Sequence, residues 1–449
     1  MATIGFCVLP MSGPMNGSLP LAKRLRSRGH HVVFFGMPDC EAFVAPFGFE
    51  FLPIYADWFP KNHLELFRSG GKGPLTALLQ HRRFIMHYRD YFKYLIRGGE
   101  TSFLATMDQL NPDLVIIDGS IRPTWSLLAY RAGLPAMYLH TTMPPKQDPM
   151  RPPIFSTLQP GDPQIAKAWR KYYRQRFFLL KVQSAFGVGF DWIRYTRKLA
   201  ARYGYPLEKL NDRAMFSVFL DFPEIILYPR DFEMPGPVAD DVYHVAAPAD
   251  EDRSEQAFPF ECLDPNKPLI YASLGSIHAN ATFARTIREC AVKRPDLQWV
   301  LTTGKHLNID QLAPIPANLT AVPFAPQLAL LQRAAVMITH GGANSIRECI
   351  QHEVPMVVFP LTFDQPGTAA RVVYHGLGLM GRIKGLQAES LLPSIDRVLD
   401  DPSFRAKLAA MNEAFRKSRE SEAAVKVIED RLASIMEMRN SGEVEVPVG

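Results

Sequence analysis

Apolar runs of strand length alternate along this chain with stretches of helical spacing. Ile4 to Leu9 is a run of the buried-strand type. Pro10 to Gly17 reads as a turn-rich loop. Ser18 to Arg28 reads as a helix with Leu19, Ala22 and Leu25 on one face, stopping at Gly29. Val32 to Phe35 predicts the next strand. Leu114 to Asp118 predicts another, followed by a helix and a strand at Ala136 to Leu139. The second half repeats the theme. Leu269 to Leu274 is a strand ending in Gly275-Ser276, then come a helix and a strand at Trp299 to Leu301. Ala335 to Thr339 and Met356 to Phe359 are further buried-strand runs, and helical patterns near 387–398, 402–416 and 420–437 close the chain.

Strands alternating with helices argue for parallel sheets in an α/β fold. At 449 residues the chain exceeds what one core usually supports. The expected architecture is two doubly wound, Rossmann-like domains facing a cleft, with ligands at the carboxyl ends of strands. A Pro- and Asp-rich segment, 228–259, reads as a linker between a first domain, 1–227, and a second, 260–417. No internal repeat or low-complexity tract is evident.

The run from Phe324 to Gln365 carries the most chemistry. A strand feeds straight into His340-Gly341-Gly342-Ala343-Asn344-Ser345, a helix pattern follows with Glu348, and Asp364-Gln365 comes soon after the next strand. Unpaired N–H groups at a helix start carry partial positive charge and suit an anion. Gly341 and Gly342 let the backbone approach a phosphate closely. The HGG start matches neither a GxxxxGK phosphate loop nor a GxGxxG fingerprint.

These residues resemble the donor-binding signature of the nucleotide-sugar-dependent glycosyltransferases of the UDP-glycosyltransferase superfamily (glycosyltransferase family 1). The spacing from His340 through Asn344, Ser345 and Glu348 to Val354-Pro355 and Asp364-Gln365 fits throughout. The chain is most similar to the bacterial carotenoid (zeaxanthin) glucosyltransferases, through ASLGS at 272–276, ITHGG at 338–342 and FDQPGTAARVVYHGLG at 363–378. The resemblance covers nearly the whole chain and is weak between about residues 60 and 200, where the family varies with acceptor. It implies the GT-B fold, with a last helix in 418–449 crossing back to the first domain. It implies that Phe324, Ala325 and Gln327 hold the base and that Glu348 binds the ribose hydroxyls. Ser276, His340, Asn344 and Ser345 would hold the diphosphate, with Gly342 at the helix start. Asp364 and Gln365 would hold sugar hydroxyls. The UDP-sugar is a co-substrate, so no cofactor and no metal is implied. The acceptor would be a small lipophilic molecule.

One position departs from the family. Members usually carry GHxNPxLxLA after the first strand, and its histidine is the general base. Here the run is Gly13-Pro14-Met15-Asn16-Gly17-Ser18-Leu19-Pro20-Leu21-Ala22, with Pro14 at the histidine position. Proline has no titratable group. Asp118 stands where the orienting aspartate is expected, although it also suits a helix N-cap. Three readings stay open: Asp118 or a nearby group such as His140 or Ser12 takes the proton; the acceptor is already a carboxylate or a neutral amine; or the chain binds donor without catalysis, as the partner of another transferase.

Composition narrows the setting. The content, 47% hydrophobic and 21% charged, is ordinary for a soluble enzyme, and the net charge of +5 argues against a dedicated nucleic-acid binder. Five scattered cysteines without a CxxC pair fit a reducing cytoplasm and neither a disulfide framework nor zinc. The start lacks a basic n-region, which argues against a signal peptide, and no apolar run reaches bilayer-spanning length. A cytoplasmic location is expected, with peripheral membrane contact left open by the stretch from Trp169 to Leu180. Its aromatics and arginines suit a membrane surface, a lipophilic channel, or an ordinary half-buried helix with snorkelling basic side chains. Met86, Tyr88, Tyr91, Phe92 and Tyr94 read as packing residues, some lining an acceptor pocket. Acceptor, sugar, UDP against dTDP, and oligomeric state are not fixed by the sequence.

Overall fold

A computed structural model describes the chain except residues 64–72, 122, 145, 187–188, 214–217, 249–256, 276–279, 305–306 and 442–449, and the side chains of 73–78. Two parallel sheets form. The first contains β1 (Thr3–Cys7), β2 (His31–Gly36), β3 (Glu50–Pro53), β4 (Leu114–Asp118), β5 (Ala136–His140), β6 (Glu224–Ile226) and β7 (Val242–His244). Its order is β3-β2-β1-β4-β5-β6-β7. The second contains β8 (Leu269–Ser273), β9 (Gln298–Thr302), β10 (Leu319–Val322), β11 (Ala334–Thr339), β12 (Met356–Val358) and β13 (Gly378–Met380), in the order β10-β9-β8-β11-β12-β13. Every residue of β4, β5 and β8 is buried, as expected of parallel strands covered on both faces.

This topology positions the chemistry. In an open parallel sheet the strand order reverses at one place, and loops leaving the two strands there open a crevice. In the first sheet that place lies between β1 and β4, and in the second between β8 and β11. Asp118 ends β4, and His340 immediately follows β11.

Two expectations change. The segment read as a loop, Pro10–Gly17, is mostly helical, because the first helix runs Ser12–Ser27. Pro14 is its third residue, where an N–H would have no intrahelical acceptor, so proline costs the helix nothing there. The segment read as a linker, 228–259, supplies β7, the edge strand of the first sheet, and places Tyr228 and Phe232 in a buried cluster. A three-residue strand is too short to show a period, and its prolines and aspartates are turn residues around it.

The last helix, Ala423–Ser441, packs Val425, Ile428, Leu432 and Ile435 against Ile4, Leu19, Leu25 and neighbouring residues of the first domain. Surface ion pairs add to this contact, Arg28 with Glu429 at 2.9 Å and Arg439 with Asp113 at 3.0 Å. Each contributes at most about 1 kcal/mol, so the apolar face does most of the holding. Among the described residues no helix is long and apolar enough to cross a membrane.

Candidate active site

β11 ends at Thr339, and the helix Ala343–Gln351 begins four residues later with Gly342 as its N-cap and no side-chain cap. Its first-turn N–H groups have no acceptor within the helix. The half-buried His340 ring lies against two glycines. A Cβ on Gly275 would come within 2.7 Å of the ring, and one on Gly342 within 2.6 Å. Both contacts are closer than real Cβ atoms allow, so glycine at both positions makes room for the imidazole beside the helix start. Gly275 also has a φ of +78°, which side chains rarely adopt.

Ser345 and Glu348 are three apart on that helix and share a face. Gln327, at the start of the helix Gln327–Leu331, bridges them: its amide donates to Ser345 Oγ at 3.1 Å and to the Glu348 carboxylate. The Tyr271 hydroxyl donates to Gln327 Oε1 at 3.4 Å. Phe324 and Ala325 are half-buried just before Gln327. Asp364 stands at the N-cap position of the helix Gln365–Tyr374 without a side-chain capping bond, and burial pushes its carboxyl up to about 6. Gln365 Oε1 accepts from the N–H groups of Leu361 and Thr362, both at 2.9 Å, so this side chain closes the loop. The structure thus brings together His340, Gly342, Asn344, Ser345, Glu348 and Gln327, whereas Ser276 lies outside the described residues.

The first domain meets this cluster. Asn344 Nδ2 donates to the Gly13 carbonyl at 3.1 Å, next to Pro14, while Arg347 donates to Asn344 Oδ1. Pro14 itself uses only its carbonyl, which accepts from Ser18 Oγ at 2.7 Å. Ser12 is exposed at the start of the same helix.

Asp118 is almost fully buried, and its oxygens are committed. Oδ2 accepts from the Leu9 N–H at 3.1 Å and Oδ1 from the Ser120 N–H at 2.9 Å. The Ser120 hydroxyl lies 2.8 Å from both oxygens. Burial raises the carboxyl above the ordinary carboxylate range, and these hydrogen bonds pull the other way. His140 ends the neighbouring strand, with Asp118 in register with Leu139. Its Nε2 lies 2.9 Å from Glu224 Oε2, and Lys146 pairs with the other oxygen of Glu224. Burial, with Lys146 adding to it, lowers the His140 imidazole to about 3, so it is neutral near pH 7. Burial also lowers the Lys146 ammonium, to about 8.

Sequence reasoning missed Glu224 and Lys146. Glu224 begins a three-residue strand and Lys146 sits in a proline-rich loop, so neither carries a periodic or motif signal.

Two parallel doubly wound sheets, each with polar groups at its switch point, narrow the comparison with known proteins. A family described as "Erythromycin biosynthesis protein CIII-like, C-terminal domain" matches residues 292–429. Zeaxanthin glucosyltransferase of Pantoea ananas is 25% identical over 415 residues, covering 91% of each chain. The chain is a glycosyltransferase. A second relative of this glycosyltransferase, 4'-demethylrebeccamycin synthase of Lentzea aerocolonigenes, is 25% identical over 417 residues, covering 90% of this chain and 94% of the relative. The solved structure of the calicheamicin glycosyltransferase CalG4 superposes with a TM-score of 0.67 at 20% identity, covering 97% of this chain and 99% of that one. That likeness shows the GT-B fold.

Proposed function

We propose that this glycosyltransferase moves a hexose, in the simplest case glucose, from a UDP-sugar to a lipophilic small molecule, with inversion and without a metal. The observation that carries the reading is the uncapped start of the helix Ala343–Gln351 with His340 packed beside it and Glu348 on its face. In this reading the first-turn N–H groups, His340, Asn344 and Ser345 hold the diphosphate, with Ser276 joining them from outside the described residues. Glu348 accepts from the ribose hydroxyls. Phe324, Ala325 and Gln327 border the base, and Asp364 and Gln365 face the sugar. The acceptor's lone pair forms the new bond at the anomeric carbon as the bond to the diphosphate oxygen breaks. The electron pair leaves with the diphosphate, where the helix start and side-chain donors stabilise the growing charge.

Pro14 leaves the proton of an alcohol without its usual base. Asp118 spends its oxygens on Leu9 and Ser120, and burial lowers the His140 imidazole to about 3, which leaves it a weak base. This favours an acceptor that needs no positioned base, either a carboxylate or a neutral amine whose proton leaves to water afterwards. A screen of carboxylic acids, amines, phenols and alcohols with UDP-glucose, read by mass spectrometry, tests it. Glycosylated acids or amines are expected. Products from alcohols alone would overturn the base-free reading.

Two further outcomes are expected. His340→Ala and Glu348→Ala should each weaken UDP binding, because a hydrogen bond to a charged group contributes about 1.5–3 kcal/mol. Calorimetry giving unchanged affinity in both variants would remove the donor site from this helix. Because protein donors meet the diphosphate charge, chelation with EDTA should leave turnover intact. Loss of activity in EDTA, restored by Mg²⁺ or Mn²⁺, would contradict that.

A further inference from the structure

The helix Ile165–Ala185 lies apart from the site just described, and its inward side is fixed. Ile165, Trp169 and Arg176 are buried. The Trp169 indole N–H donates to the Arg151 carbonyl at 2.9 Å, and the Arg176 guanidinium lies 4.8 Å over the Trp192 ring. With 3.6 residues per turn, the opposite side carries Lys167, Lys171, Arg174, Phe178 and Lys181 in one stripe, all exposed. No Asp or Glu occurs between Ile165 and Ala185. Towards the helix end four large apolar side chains, Phe177, Phe178, Leu179 and Phe186, are between 41% and 78% exposed.

A second feature adjoins the first. A surface hollow of about 440 Å³ separates Phe177 from the helix Trp192–Arg202. Its walls carry Arg194, Arg197 and Lys198 over Ile193, Ala201 and Leu207, with Asp191 and Asp212 also lining it. Arg197 is paired with Asp212 at 3.3 Å, and Arg194 and Lys198 are both exposed.

We propose that this face docks on an anionic lipid bilayer. Phe178, Leu179 and Phe186 enter the acyl boundary, the lysine and arginine stripe meets the headgroups, and a lipid phosphate fits the hollow against Arg194 and Lys198. The pattern separates a bilayer from a protein partner. The core of a protein interface is depleted of charge. Here exposed Phe178, Leu179 and Phe186 border a stripe of cations on a helix without acidic residues, and exposed apolar side chains flanked by basic ones are what a membrane-surface helix carries. The proposal is independent of the acceptor's identity, since it is read without donor or acceptor.

The test is cosedimentation of the full chain with phosphatidylcholine vesicles, with and without phosphatidylglycerol. Binding is expected only with phosphatidylglycerol and should weaken as salt shortens the screening length. Phe178→Ser with Leu179→Ser should lower the partition coefficient about tenfold. Lys171→Glu with Arg174→Glu should remove the preference for the anionic lipid. Both variants should keep the wild-type melting temperature, since these side chains are exposed. No binding by the wild-type chain, the outcome an acidic protein partner would give, overturns the proposal. So does equal binding to both vesicle types, or wild-type binding by both variants.

Discussion

Pro14→His is expected to leave the rate on the native acceptor unchanged and to confer turnover of phenols or alcohols, by up to about 10²–10⁴-fold where a positioned base limits the rate. The fold tolerates the change. Pro14 is the third residue of the helix Ser12–Ser27, so a new N–H there displaces no hydrogen bond. The gain depends on how an imidazole at position 14 shares Asp118, whose oxygens already accept from Leu9 and Ser120. Initial rates on acids, amines, phenols and alcohols, taken with melting temperatures, check it. A strongly faster rate on the native acceptor would show that a base was needed and missing. Asp118→Asn discriminates less cleanly. An amide accepts with only one of its two arms, so the loop after β1 or the turn at Ser120 loses a buried hydrogen bond. The cost is about 1–3 kcal/mol of stability whatever the chemistry.

Arg371→Ala is expected to be the most damaging single change to stability. Arg371 and Glu233 are both buried, and Arg371 donates to Glu233 Oε1 through Nε at 2.9 Å and through a second guanidinium nitrogen. Its third nitrogen donates to the Gly367 carbonyl at 3.0 Å. Removing one partner of a buried pair strands the other charge and costs about 3–5 kcal/mol. Burial alone would raise the Glu233 carboxyl, but Arg371 and the Met234 N–H outweigh it and hold the group below its ordinary value. A depressed carboxyl stabilises the fold above its unfolded pKa and loses that contribution as pH falls through the folded one. The difference between wild type and variant should therefore be full at neutral pH and shrink in acid. Calorimetric melting across that range checks both size and direction. An unchanged melting temperature at pH 7 would refute the assignment. Because Arg371 lies in the helix that starts just after Asp364, donor affinity should fall as well.

The parts of the fold that were legible in the sequence share a physical cause. β4, β5, β8 and β11 are buried on both faces, so they show as short apolar runs between turn residues. The turn at His340–Ser345 was legible because the His340 ring needs glycine at 342 and at 275, and both glycines stand in written motifs, HGG and ASLGS. The start of the first helix was hidden. Gly13, Pro14 and Gly17 look like breakers, yet a first turn tolerates proline. β7 was hidden by its three residues. The pairing of Gln327 with Ser345 and Glu348, and of His140 with Glu224 and Lys146, joins residues far apart in sequence. Such contacts exist only once the sheets are assembled, and no local pattern records them.

The proposed chemistry requires a donor bound at the start of the helix Ala343–Gln351 and consumed there. Release of UDP from UDP-glucose, followed in a coupled assay with and without an acidic or amine acceptor, measures this most directly. Slow release with donor alone, faster release with acceptor, and loss of both in Glu348→Ala are expected. Nucleotide-sugar binding with no UDP release under any acceptor, or release that Glu348→Ala leaves untouched, would contradict it.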